Sequence, residues 1–113
     1  MGLELVLEGV GREYDGKAVL TGVTLSLGPG MAVLMGANGS GKSTLMRICA
    51  LLEEPTSGSL SFLDSCGEGG RALPVDAALR RRVTMVLSGG GIFNASVCRN
   101  ASYGLRVRGV RGA

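Results

Sequence analysis

With 113 residues, a net charge of +3 and 45% hydrophobic side chains, the chain is the size of one domain and too apolar for a disordered polyelectrolyte. No apolar run approaches the roughly 18 residues of a membrane-spanning helix, and Met1-Gly2-Leu3-Glu4 lacks the basic start of a secretory signal. Three cysteines without a C-x-x-C pair (Cys49, Cys66, Cys98) and a complete lack of histidine exclude a disulfide framework and a zinc site, and predict reduced thiols in a cytosolic chain.

Leu3, Leu5 and Leu7 alternate with Glu4, Val6 and Glu8, the period of a half-buried strand. Tyr14-Asp15-Gly16-Lys17 is a turn, after which Ala18 to Leu20 and Val23 to Leu27 give two more strand-like pieces. Gly28-Pro29-Gly30 turns the chain into Met31 to Met35, a continuous apolar run expected to be a strand buried on both faces of a parallel sheet. Leu45, Ile48, Cys49 and Leu52 then fall on one helical face, and Glu53-Glu54-Pro55 is expected to stop that helix. Thr56-Ser57-Gly58 leads into an alternating strand, Ser59 to Leu63, and Cys66 to Gly70 reads as a flexible loop. Asp76 is placed to cap a short helix ending at Arg82, followed by a strand over Val83 to Leu87. Ser88-Gly89-Gly90-Gly91 breaks regularity, residues 96–107 are weakly helical, and no internal repeat is present.

Between the apolar run and the helix, Gly36-Ala37-Asn38-Gly39-Ser40-Gly41-Lys42-Ser43 fits G-x-x-x-x-G-K-[ST] without a mismatch, in the strand–loop–helix context the motif requires. Gly36, Gly39 and Gly41 permit backbone angles that turn successive N–H groups, those of Asn38 and Ser40 included, toward one anion. The helix opening at Lys42 adds unpaired N–H groups and the positive end of its dipole. Lys42 supplies a point charge for outer phosphates, the Ser43 hydroxyl a ligand for Mg²⁺, and Thr44 a hydroxyl and an N–H for an inner phosphate. Nucleoside triphosphate binding is the function these residues imply.

Charge is unevenly spread: residues 1–70 hold four basic and eight acidic side chains, residues 71–113 eight basic and one acidic. Such a basic segment suggests nucleic acid, but only Phe93 and Tyr103 are available there to stack on bases, so a solvated face or an acidic partner is the better reading.

From Leu3 to Gly41, and then through Glu54-Pro55-Thr56-Ser57-Gly58, Arg81 to Val86 and Phe93 to Val97 with Asn100, the chain resembles the ATP-binding cassette, the nucleotide-binding domain of ABC transporters. Val19-Leu20-Thr21-Gly22-Val23-Thr24-Leu25 matches the family's stretch before the phosphate loop, and GANGSGKSTL is close to its own version of that loop. The resemblance implies an α/β, P-loop NTPase-like core with an antiparallel β subdomain, residues 1–113 forming its N-terminal part ahead of the helical subdomain, signature and Walker B. It also implies Tyr14 as the aromatic that stacks on adenine, with Val19 on the same apolar edge. ATP and Mg²⁺ would be the cofactors, and a transmembrane permease subunit and a second ATP-binding subunit the partners, at the cytoplasmic face of the cell membrane. The function so implied is the ATP-binding part of a solute transporter. A non-catalytic nucleotide-binding module, a degenerate remnant and a small P-loop kinase are the alternatives.

Three departures from the family pattern stand out. Ser88 takes the place of a glutamine that reaches Mg²⁺ and the attacking water. Leu87-Ser88-Gly89-Gly90 copies the first letters of the signature L-S-G-G-Q, too early in the chain to be it, and reads as a glycine-rich loop. Leu60 to Asp64 mimics a Walker-B strand, but Ser61 interrupts it and no glutamate follows Asp64, so it reads as structural. With neither a Walker-B Asp-Glu pair nor the family's late histidine in the sequence, no catalytic residue is assigned, and ATPase activity is left open.

Overall fold

The computed structural model describes residues 2–64 and 69–111, so the expected loop around Cys66 lies largely outside the described residues. Strand β1 (Leu3–Tyr14) and strand β2 (Lys17–Leu27) form a hairpin, helix α1 (Lys42–Cys49) follows the phosphate loop, and strand β3 (Ser57–Asp64) returns beside β1. A two-residue strand β4 (Arg71–Ala72) and three short helices, α2 (Ala77–Arg80), α3 (Val97–Ala101) and α4 (Tyr103–Val107), complete the described elements. The sheet order is β2-β1-β3-β4, with every neighbouring pair antiparallel.

Local chemistry accounts for the hairpin. Tyr14 pairs directly with Lys17, leaving Asp15 and Gly16 as a two-residue loop with φ of 50° and 75°. Positive φ at both central positions belongs to the turn whose twist matches that of the flanking strands, and Asp-Gly is among its preferred sequences. The two strand-like pieces expected after the turn form one strand.

The core lies where α1 packs on the sheet: Leu7 and Val10 of β1, Leu20 of β2, and Leu45 and Ile48 of α1. Strict alternation from Leu7 would send Val10 to the opposite face. A register shift between Leu7 and Val10, with Gly9 at φ 59°, inserts the extra residue that brings both side chains inward. Asp76 accepts the Leu79 N–H at 2.9 Å and caps α2, as its position predicts, and buries Leu79. That helix ends at Arg80, two residues short of the expected Arg82.

Two expected strands do not form. Met31 to Met35 lies outside the sheet with no regular structure, with Met31 95% and Met35 85% exposed, and Val83 to Leu87 is likewise unpaired, with Val86 91% exposed. A strand exists only by hydrogen bonding to a neighbour, and among the described strands none pairs with either segment. The P-loop NTPase architecture is therefore represented by its antiparallel sheet and phosphate-loop helix, without the parallel layer that the apolar run predicts.

The helix after the phosphate loop also stops earlier than Pro55 would require. Leu51 has φ 62°, its N–H bonds the Ile48 carbonyl at 3.0 Å, and the Leu52 N–H bonds the Arg47 carbonyl at 2.9 Å. That is the six-to-one and five-to-two pairing of a Schellman ending, with leucine where glycine usually stands. Leu52 is thereby carried off the buried helical face and is 61% exposed.

Candidate phosphate-binding site

The phosphate loop runs between the β1–β2 hairpin and the start of α1, and two of its glycines lie close to neighbouring atoms. A Cβ on Gly36 would come within 2.8 Å of the Ser40 Oγ. Gly41, at φ 94°, caps α1, and a Cβ there would meet Leu20 Cδ2 at 2.9 Å and the Val19 carbonyl at 3.0 Å. The loop thus fits against β2 only as bare backbone. The Ser40 N–H bonds the Ala37 carbonyl at 3.2 Å, closing a turn that carries Asn38 and Gly39 at its tip.

Having no side chain, Gly41 provides no side-chain cap hydrogen bond to the first N–H groups of α1. A helix start left in that condition attracts an anion through its free donors and its dipole. Val19, Ala37, Asn38, Gly39, Gly41, Lys42, Ser43 and Thr44 line one cleft of about 260 Å³. The Lys42 ammonium reaches back over the loop, donating to the Gly36 carbonyl and to the Ala37 carbonyl at 3.2 Å. It therefore sits at the mouth of the cleft with a third N–H to give. Ser43 is exposed at the helix start, and Thr44 is buried.

The residues present fit a polyphosphate: bare backbone where a Cβ would clash, uncapped N–H groups and one ammonium. Among the described residues no group of three His, Cys, Asp or Glu side chains could hold a metal ion by itself. A Mg²⁺ here would take Ser43 from the chain and its other oxygens from phosphate and water, which is how this ion is usually bound beside nucleotides.

Val19 lines the phosphate cleft, whereas Tyr14, which the resemblance grouped with it on one apolar edge, belongs to a neighbouring cluster. Its hydroxyl donates to Glu53 Oε1, and the Arg12 guanidinium lies over its ring, 4.7 Å from the centroid. Glu53 also pairs with Arg12 Nη2 at 3.2 Å and with Arg47 Nε at 3.2 Å. The hydrogen bond from Tyr14, followed by the guanidinium of Arg47 and the charge of Arg12, holds the Glu53 carboxyl below the usual carboxylate range. Arg47 reaches in the other direction to Thr44, donating from Nη2 to Oγ1 at 3.3 Å. Sequence reasoning gave no role to Arg12 or Arg47 and saw Glu53 only as a helix stop. One local signal was available: Thr44 and Arg47 are three apart on a helix and so share a face.

The decoy motifs take the places their structural readings predict. Leu60 to Asp64 is part of β3, inside the antiparallel sheet and away from the cleft. Ser88 to Gly91 is exposed loop. Cys49, half-buried on α1, and Cys98, exposed, are both free thiols. Burial pushes the Cys49 thiol above its ordinary range, which makes it less reactive.

Residues 20–105 match the family of ABC transporters. The chain is 40% identical, over 92% of its length, to a phosphate import ATP-binding protein of Natronomonas pharaonis, covering 37% of that protein. It is 39% identical, over 92% of its length, to a spermidine/putrescine import ATP-binding protein of Spiroplasma citri, covering 29% of it. To an sn-glycerol-3-phosphate import ATP-binding protein of Burkholderia thailandensis it is 37% identical over 96% of its length, again covering 29%. The chain thus spans between about a quarter and two-fifths of the length of these relatives. With a match over most of its residues, the chain belongs to the ABC transporter family and corresponds to the N-terminal portion of its nucleotide-binding domain.

Proposed function

We propose that this chain binds Mg-ATP at the cleft formed by residues 36–44 and is the ATP-binding part of a transporter that moves a solute across a membrane. The supporting observation is the cleft itself, which is lined by the uncapped start of α1 together with Lys42, Ser43 and Thr44. Gly36, Asn38, Gly39, Ser40 and Gly41 supply the backbone, Lys42 the charge on the outer phosphates, and Ser43 the metal ligand. Tyr14, in the neighbouring cluster, offers a ring for adenine in this reading.

The partners in this reading are a transmembrane permease subunit and a second ATP-binding subunit, with the chain on the cytoplasmic side of the membrane. Among the described residues no helix is long and apolar enough to cross a membrane. The relatives named above import a phosphate, polyamines and a glycerol phosphate at similar identity to this chain. Choice of solute therefore belongs to other polypeptide segments in this reading.

Binding and turnover separate in this stretch. Ser88 cannot span the distance of the family's glutamine, which reaches the attacking water. The test uses the purified chain: a fluorescent ATP analogue is titrated with magnesium, and phosphate release is followed in parallel. Saturable binding lost in Lys42→Ala, with no steady phosphate release, is the expected result. Steady release abolished by Lys42→Ala would contradict the separation, and absence of saturable binding would contradict the function.

A further inference from the structure

We propose that Arg47, held by Glu53, is a positioning residue that commits the Thr44 hydroxyl to donate a hydrogen bond into the phosphate cleft. The inference rests on the phosphate-binding reading above and adds to it two residues that do not line the cleft.

The chemistry follows from donor and acceptor counting. A guanidinium has only N–H donors, so in the 3.3 Å contact from Arg47 Nη2 the Thr44 oxygen must be the acceptor. The hydroxyl hydrogen is then left to be given elsewhere. A phosphate oxygen is an acceptor only, so a hydroxyl held in this way is already in the form an inner phosphate needs. Without the guanidinium, a helical threonine can turn its hydroxyl back toward a carbonyl of the preceding turn.

Arg47 is itself fixed from behind. Its Nε donates to Glu53 Oε2 at 3.2 Å, and the other Glu53 oxygen takes the Tyr14 hydroxyl and pairs with Arg12 Nη2 at 3.2 Å. Arg47 lies on α1 and Glu53 beyond the Leu51 turn, so the pair clamps the end of the helix whose start carries the cleft. A long side chain that is 40% exposed would otherwise sample many rotamers. Glu53 removes that freedom before any ligand arrives.

Magnesium tripolyphosphate, which carries no base or sugar, isolates the phosphate side of the site. Calorimetric titrations would compare the wild-type chain with Thr44→Val, Thr44→Ser, Arg47→Met and the double variant Arg47→Met/Thr44→Val, each checked by circular dichroism. Arg47→Met is expected to weaken binding about 5- to 10-fold, the scale of one charge-assisted hydrogen bond. Thr44→Ser, which keeps the hydroxyl, should lose less affinity than Thr44→Val. The double variant should be no weaker than Thr44→Val, since Arg47 acts only through that oxygen. If Arg47→Met fails to fold, Glu53→Gln, which keeps an acceptor but loses the charge, carries the same comparison in the presence and absence of Thr44→Val. Equal affinity of Arg47→Met and wild type, or effects that multiply in the double variant, would overturn the proposal. Failure of the wild-type chain to bind either tripolyphosphate or ATP would instead remove the phosphate-site reading, and this proposal with it.

Discussion

The Arg12 guanidinium carbon lies 4.7 Å from the centre of the Tyr14 ring and covers one of its faces. A cation over an aromatic face contributes about 0.5–1 kcal/mol where solvent still reaches it. A base can therefore stack on Tyr14 only from the opposite side or after Arg12 has moved away.

Tyr14→Ala should lower ATP affinity by about 1–3 kcal/mol while leaving tripolyphosphate affinity within twofold. Tyr14→Phe keeps the ring but loses the hydroxyl bond to Glu53, so it should retain most of the ATP affinity. Competition titrations of the two ligands separate these outcomes. Equal losses for both ligands in Tyr14→Ala would show that the residue acts on the loop and has no contact with the base.

Glu53 gives the fold an acid dependence. Its pKa is lower in the folded chain than in the unfolded one, so the unfolded state takes up the proton more readily. The associated stability is present above the ordinary carboxylate range near pH 4.3 and is lost as pH falls through the depressed folded value. Glu53→Gln should cost on the order of 1 kcal/mol at pH 7 and flatten the decline of stability as pH falls below the ordinary carboxylate range. Urea melts at a series of pH values measure both. An unchanged acid limb in Glu53→Gln would place the dependence on other carboxylates.

Leu51 holds a left-handed conformation that its Cβ disfavours, at φ 62°. Leu51→Gly should therefore stabilise the chain by about 0.5–1 kcal/mol, less whatever the partly buried leucine side chain contributes by packing. Leu51→Val, with a branched Cβ in the same conformation, should destabilise it by a similar amount. Thermal melts of the two variants should move in opposite directions from wild type. Equal destabilisation of both would show that packing of the leucine outweighs the backbone strain.

Asn100 organises the segment before α3. Its Oδ1 accepts the Phe93 N–H at 2.8 Å, while Nδ2 lies 3.0–3.1 Å from the carbonyls of Phe93, Ala95 and Ser96. Asn100→Leu would remove both the acceptor of the Phe93 N–H and the donor to those carbonyls and should abolish hydrogen-exchange protection of the Phe93 amide. Leu7, in the core, should exchange as before. Retained protection at Phe93 would mean that the aromatic contact with Tyr103, at 4.5 Å between ring centroids, is enough to order the loop.

How much of this was legible in advance divides along physical lines. The Asp15-Gly16 turn, the Asp76 cap and the helix after Lys42 are local, and residue type plus spacing determines them. Met31 to Met35 and Val83 to Leu87 carry the pattern of buried strands, but a pattern expresses a preference for burial and cannot supply the neighbouring strand. The Schellman ending was hidden because leucine occupies the usual glycine position. Glu53 joining Tyr14, Arg12 and Arg47 was hidden because the hairpin and the helix end meet only in three dimensions. Within the cleft, the motif named Asn38, Gly39, Gly41, Lys42, Ser43 and Thr44, while Gly36 and Ser40 are not among the lining residues, and the structure added the reason that Gly41 admits no larger side chain.

The central claim is that the backbone around residues 36–44, together with Lys42, holds polyphosphate. Isothermal titration of the folded chain with magnesium and a non-hydrolysable ATP analogue tests it most directly. One saturable binding event near one-to-one stoichiometry, absent in Lys42→Ala and in Gly41→Val, is the predicted result. No heat of binding from a sample that melts cooperatively, or binding that persists unchanged in both variants, would contradict it.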